Sequence, residues 1–171
     1  MSTSSTITET RNTLGVFRKP TLDDGAAVWE LVKSTGVLDL NSPYSYLMWC
    51  QNFGETSVVV EKDDEIVGFV SGFVKPEKTD RLFIWQVAVA ESQRGKGLAS
   101  KMLHHLLERQ SCKNVHFVEA TVTPSNIASQ KLFKRLARNL DTHIKVSTCF
   151  SADDFPEEGQ EEELTHEIGP F

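Results

Sequence analysis

Seven consecutive residues, Gln93-Arg94-Gly95-Lys96-Gly97-Leu98-Ala99, stand between an apolar run and an amphipathic one. Two glycines so close together let the main chain turn tightly and approach a ligand with no Cβ in the way. The helix predicted to follow points its first unpaired N–H groups, and the positive end of its dipole, at one spot. The natural guest of such a spot is an anion, most simply a pyrophosphate. Arg94 and Lys96 would add positive charge at the rim. A strand-to-helix loop that binds nothing can carry the same glycines, so spacing alone leaves both readings open. The Walker A pattern is absent. Gly95-Lys96-Gly97-Leu98-Ala99-Ser100 approaches a dinucleotide fingerprint, with Glu119 near the ribose-binding distance. Its first glycine, however, lies several residues beyond the strand, and antiparallel strands precede it.

The elements that must position this turn can be read from periodicity. Val16 to Lys19 is a first strand, stopped by Pro20. Asp23 or Asp24 caps a helix with Ala27, Val28, Leu31 and Val32 on one face, ending near Gly36. A turn-prone stretch from Val37 to Tyr46 follows, then a short helix through Leu47, Met48 and Phe53. Ser57 to Glu61 and Ile66 to Val74 are strands around an Asp63-Asp64 hairpin. Leu82 to Val89 is nearly all apolar, as a central strand covered on both faces would be. Leu98, Met102, Leu103, Leu106 and Leu107 keep helical spacing, Val115 to Val122 is a strand, and Ala128 to Leu140 is a second long helix. His143 to Phe150 and Leu164 to Ile168 close the series as strands. The layout is α/β (α+β), with one central sheet and helices on its faces.

The 171 residues have room for one domain with a sizeable core. A disordered N-terminal tail is expected over residues 1–15 and a single domain over 16–171, with an acidic loop at 151–163. No signal peptide and no membrane span are visible, and a cytoplasmic location is expected. Cys50, Cys112 and Cys149 are odd in number and widely spaced, which fits reduced thiols and no metal cluster. The net charge is −6, much of it in Asp153, Asp154, Glu157, Glu158 and Glu161 to Glu163. That balance argues against a nucleic-acid partner, and the acidic run reads either as a solvated loop or as a face toward a cationic substrate.

Arg94-x-x-Gly97-x-Ala99 after Val87-Ala88-Val89, with Asn126 and then Leu132-Phe133, resembles the paired motifs of the GNAT acetyltransferase superfamily. The resemblance covers roughly Phe17 to Phe150. It implies a central mixed, mostly antiparallel twisted sheet of about 6–7 strands flanked by about 4 helices, and acetyl-CoA as co-substrate with no metal. By the same resemblance Gln86, Val87, Ala88 and Val89 hold the pantetheine arm. Arg94, Gly95, Lys96, Gly97, Leu98 and Ala99 hold the pyrophosphate, and Asn126 and Phe133 lie near the thiol end. Many members carry a tyrosine where this chain has Phe133, and that tyrosine protonates the departing thiolate. Phe133 cannot do so, which leaves another group as the donor, or a thiolate that departs unprotonated; such thiols ionise near pH ~8.5.

Within that superfamily, the stretches Leu38 to Tyr46, Phe83 to Val89 and Ala120 to Asn126 are similar to the branch that acetylates L-2,4-diaminobutyrate in ectoine synthesis. A diamino acid carries two ammonium groups and one carboxylate. Asp39 can pair with an ammonium, Asn41, Ser42, Tyr44 and Gln86 offer polar groups, and Trp85 offers a wall that attracts cations. Asp39 and Asn41 can equally serve only the turn, Trp85 can fill core, and the tyrosines can cover a helix end. An alkylammonium with pKa near ~10.4 is neutral in about one molecule in a few thousand at pH 7, a deficit of roughly 4 to 5 kcal/mol. Glu119, Glu167 or Asp39 are the candidate bases. The Val87 N–H would stabilise the oxyanion. A homodimer is implied. Acetylation of another small amine, a polyamine or a protein N-terminus, and a non-catalytic CoA-binding module, remain open.

Overall fold

The computed structural model describes residues 9–171. These form eight strands and four α-helices, one strand beyond the expected range. The additional strand is β1 (Glu9–Asn12), which pairs antiparallel with β2 (Gly15–Arg18). Residues 9–15 therefore correct the expected tail, and residues 1–8 lie outside the described residues. The physical reason is local: Leu14 is buried at the turn, and its N–H donates to Asn12 Oδ1 at 2.8 Å.

The chain divides into two compact units. The first comprises the described residues up to Phe73 together with Gln86–Asn114. In it β1, β2, β3 (Val58–Lys62) and β4 (Glu65–Lys75) follow one another antiparallel. The β3–β4 hairpin turns on Asp63 and Asp64, whose φ angles of 51° and 63° suit a primed two-residue turn. Helix α1 (Gly25–Thr35) buries Val28, Leu31 and Val32 and stops where Gly36 turns left-handed, at φ 66°. Helix α2 (Pro43–Asn52) begins earlier than the sequence suggests. Ser42 is extended and Pro43 occupies the first helical turn, where its fixed φ favours a helix rather than breaking one. Helix α3 (Leu98–Leu107) buries Met102, Leu103 and Leu106. It rides close on β4, because a Cβ at Gly68 would come within 2.9 Å of Met102 Sδ.

The second unit comprises Val74–Trp85 and Val115–Phe171. The strand order there is β5 (Lys78–Val89), β6 (Phe117–Val122), β8 (Glu163–Ile168), β7 (Ile144–Phe150). Strands β5 and β6 are parallel and the other pairs antiparallel. Helix α4 (Ile127–Asn139) buries Phe133, Leu136 and Ala137. Register divides the strands into two faces. Val118, Ala120, His166 and Ile168 share one, all of them buried, whereas Arg81, Phe83, Phe117, Glu119 and Glu167 share the other, where Glu119 alone is buried.

Strand β5 corrects one expectation. Its burial alternates, with Leu82, Ile84, Gln86 and Ala88 buried and Phe83, Trp85, Val87 and Val89 only half-buried. The run reads as doubly covered because both faces carry apolar residues. Among the described residues no helix is long and apolar enough to cross a membrane.

Candidate active site

The phosphate-type turn forms as its residues suggest. A single 3-10 turn at Glu91–Gln93 leads into Arg94, and Gly95 and Gly97 take φ angles of 76° and 77°, which favour glycine. A Cβ at either glycine would meet nothing within 4 Å, so both face open space. Gly97 is the N-cap of α3 and no side chain caps the helix. The first intrahelical bond of this turn runs from the Lys101 N–H to the Gly97 carbonyl at 3.1 Å. The N–H groups of Leu98, Ala99 and Ser100 precede that bond, as donors without a helical acceptor do. The Leu98 side chain is buried in the unit and only its main chain can serve a ligand. Arg94 and Lys96 are exposed at the rim, and Lys96 Nζ donates to Gln93 Oε1 at 3.4 Å. An open cradle with free helical donors and flanking cations fits a pyrophosphate.

A second cluster in the same unit fixes the α1–α2 loop. The buried Gln86 side chain donates from Nε2 to the Asp39 carbonyl at 2.8 Å, and its Oε1 accepts from the Tyr46 hydroxyl at 3.1 Å. The Tyr46 oxygen in turn accepts from the Asn41 N–H at 3.4 Å, and Trp29 Nε1 donates to the Asn41 carbonyl at 3.2 Å. Ser42 and Ser45 approach hydroxyl to hydroxyl at 3.3 Å. Asp39 therefore serves the loop through its main chain, while its side chain stands on an exposed residue. The two tyrosines part company: Tyr44 is 74% exposed and Tyr46 is fully buried. The reading of the tyrosines as cover for a helix end suits Tyr46, which lies two residues along α2 from Tyr44 and so on the opposite face.

The second unit gathers the carboxylates. Glu119 and Glu167 are direct cross-strand partners on β6 and β8, and Phe83 is the β5 partner of Glu119. The Glu119 side chain is 6% exposed, with Oε2 2.6 Å from Lys75 Nζ and Oε1 3.4 Å from Arg81 Nε. Arg81 Nη1 lies 3.2 Å from Glu167 Oε2, and the guanidinium stacks over the Phe117 ring at 4.0 Å. The register brings the expected bases Glu119 and Glu167 together, and adds Arg81 and Lys75, which sequence reasoning missed. Arg81 has the parity of Phe83 and Trp85, two positions before Phe83 and immediately before the apolar run, which would have placed it on this face.

Asn126 caps α4, its Oδ1 accepting from the Ser129 N–H at 3.1 Å. The turn before it is held by the acidic loop: Glu161 accepts from the Ser125 N–H at 3.1 Å and from the Ser125 hydroxyl. Phe133 is buried in α4. Among the described residues no group of three or more His, Cys, Asp or Glu is placed to hold a metal ion. Cys50 and Cys112 are buried and Cys149 is exposed; burial pushes the Cys50 thiol up to about 12.

Comparison with known proteins places these features in a family. The acetyltransferase (GNAT) family model matches residues 26–137, and the chain belongs to that family. An L-2,4-diaminobutyric acid acetyltransferase from Marinococcus halophilus is 59% identical over 156 residues, covering 91% of this chain and 90% of that protein. One from Halalkalibacterium halodurans is 56% identical, covering 95% and 86%. The structure is similar to that of the diaminobutyrate acetyltransferase from Paenibacillus lautus in complex with its substrate L-2,4-diaminobutyric acid and coenzyme A. The TM-score is 0.85 at 42% identity, covering 90% of this chain and 93% of that one.

Proposed function

We propose that the chain transfers the acetyl group of acetyl-CoA to the 4-amino group of L-2,4-diaminobutyrate, giving N4-acetyl-L-2,4-diaminobutyrate for ectoine synthesis, in the cytoplasm. The observation that carries this reading is similarity along nearly the whole chain to an enzyme held with that diamino acid and coenzyme A, at a TM-score of 0.85. The cofactor supplies a thioester carbonyl. The chain supplies positioning, charge and a proton acceptor.

Each role falls on residues whose chemistry suits it. The main chain of Arg94 to Ala99 takes the pyrophosphate, with the Arg94 and Lys96 side chains at the rim. Gln86, Val87, Ala88 and Val89 lie along the pantetheine arm, and the Val87 N–H is the oxyanion donor. Asn126 and Phe133 serve the thiol end. The Asp39 carboxylate pairs with a substrate ammonium, and Asn41, Ser42, Tyr44 and Trp85 complete the recognition. Glu119 receives the proton of the attacking amine, directly or through water, with Glu167 beside it. Phe133 has no proton to give, so the thiolate leaves as such, which its ordinary pKa near ~8.5 permits.

The assembly we propose is a homodimer. Every residue of β7 from Lys145 to Phe150 is exposed, and a bare strand tends to be covered. Light scattering should report twice the 19.2 kDa chain mass; a fully active monomer contradicts the dimer.

The activity is tested on purified protein with acetyl-CoA and a panel of diaminobutyrate, ornithine, lysine and putrescine, with products assigned by NMR. Diaminobutyrate should be acetylated at N4, and longer diamino acids more slowly, because about 1 Å of misplacement can cost 10²-fold. Exclusive acetylation of the α-amine, or preference for the polyamine, would overturn the reading.

A further inference from the structure

Glu119 is a nearly buried carboxylate with two cationic partners of very different freedom. Arg81 is held on three sides: by the Phe117 ring at 4.0 Å, by Glu167 at 3.2 Å and by Glu119 itself at 3.4 Å, and its side chain is 16% exposed. Lys75 is the last residue of β4, reaches Glu119 Oε2 at 2.6 Å, and keeps 34% of its side chain exposed. A planar guanidinium stacked and doubly bridged stays in place, whereas an ammonium on a flexible four-carbon stem can swing into solvent. Glu119 thus has one fixed partner and one replaceable one. The replaceable partner is a primary ammonium on an alkyl chain, which is also the reacting group of a diamino acid.

We infer that Lys75 is an internal ammonium that the substrate's own ammonium displaces from Glu119, which makes it a specificity-determining residue. The inference rests on the reading that Glu119 receives the substrate amine. Exchange of one ammonium for another leaves the contact at Glu119 nearly unchanged, and the net affinity then comes from the rest of the substrate. A molecule with a second ammonium and a carboxylate to anchor can displace Lys75. A simple alkylamine or an inorganic cation has no further contacts and cannot. Lys75 therefore guards the carboxylate against cations that fit Glu119 alone.

The test compares Lys75→Met, which keeps the stem and removes the charge, with Lys75→Arg, which offers a fork that grips a carboxylate more firmly. For diaminobutyrate, Lys75→Met should lower KM by about tenfold, with a smaller change in kcat, and Lys75→Arg should raise KM. Propylammonium should inhibit the unmodified protein only weakly, and Lys75→Met about tenfold more strongly. An unchanged or higher KM in Lys75→Met, with a lower melting temperature, makes Lys75 a structural ion pair only and overturns the inference. Glu119→Gln is measured in parallel. If it keeps kcat/KM within a few-fold, Glu119 does not receive the amine, and both that assignment and this inference fall. If it is crippled while Lys75→Met leaves KM unmoved, only the role of Lys75 falls.

Discussion

Glu119 and Glu167 face each other across the β6–β8 ladder, and one guanidinium, that of Arg81, lies 3.4 Å from the first and 3.2 Å from the second. Like charges directly opposite on adjacent strands oppose folding, so the pair depends on the cation between them. Arg81→Met should destabilise the protein by about 2 to 4 kcal/mol, since truncation leaves Glu167 without its cation and Glu119 with Lys75 alone. Arg81→Lys should recover only a fraction, because a single ammonium cannot span both carboxylates. Adding Glu167→Gln to Arg81→Met should restore part of the loss. Urea melts of the three variants check this, and a double variant no more stable than Arg81→Met would refute the charge-opposition account.

The phosphate turn predicts a separable loss of cofactor binding. Gly97→Val places a branched side chain at φ 77°, which costs on the order of 1 to 2 kcal/mol of strain. A Cβ there would meet no atom of the chain within 4 Å, so no clash within the protein adds to that cost. The added bulk occupies space in front of the α3 N–H groups. Calorimetry on the folded variant should find the acetyl-CoA Kd raised at least about tenfold. An unchanged Kd would remove the turn from the cofactor site.

That turn was legible because its determinants are contiguous, as were the hairpin at Asp63-Asp64 and the glycine stop of α1. The α2 helix reads too short from sequence, since Pro43 signals both a turn and a first helical residue, and only the extended Ser42 before it decides. Strand β5 reads as covered on both faces because Phe83, Trp85, Val87 and Val89 are apolar, although they are only half-buried. Lys75 and Arg81 escaped because an ion pair between strands depends on register, and register follows from the assembled sheet. Glu119 and Glu167 were candidates one at a time; their direct opposition was not readable from a separation of 48 positions.

Acid should destabilise the fold through a buried histidine near the end of α3. Burial first, and the neighbouring Arg109 second, lower the His105 pKa from 6.5 to about 4. The unfolded chain then binds more protons between those values, so stability rises with pH through this window. The contribution is fully present above about pH 6.5, and falls progressively as the pH drops toward 4, by about 3 kcal/mol in all. His166 is shifted the same way, by burial and then Lys134, and steepens the loss. Melting temperatures from pH 7 to 4 should fall less in His105→Gln than in the unmodified protein. Parallel curves would show that His105 does not titrate in this way.

The exposed carboxylate of Asp39 predicts a variant that folds normally and works poorly. The α1–α2 loop is fastened by the Asp39 carbonyl, which accepts from Gln86 Nε2 at 2.8 Å, and by the Asn41 N–H, which donates to the Tyr46 hydroxyl at 3.4 Å. Asp39→Asn leaves both bonds intact, so its melting temperature should stay within about 2 °C, as for a surface substitution. If the carboxylate holds a substrate ammonium, kcat/KM for diaminobutyrate should fall by two orders of magnitude or more, because an ammonium in a partly desolvated pocket is left unpaired. Raising acetyl-CoA should not recover the loss. Tyr46→Phe provides the contrast: it removes the hydroxyl that links Gln86 to Asn41, so it should lower stability by about 1 kcal/mol and loosen the loop. Its activity loss should appear mainly in KM, with the carboxylate still present but less well placed. Asp39→Asn with full activity and a lowered melting temperature would mean that Asp39 is a turn residue, and the substrate's cation would then have to be assigned to Glu167.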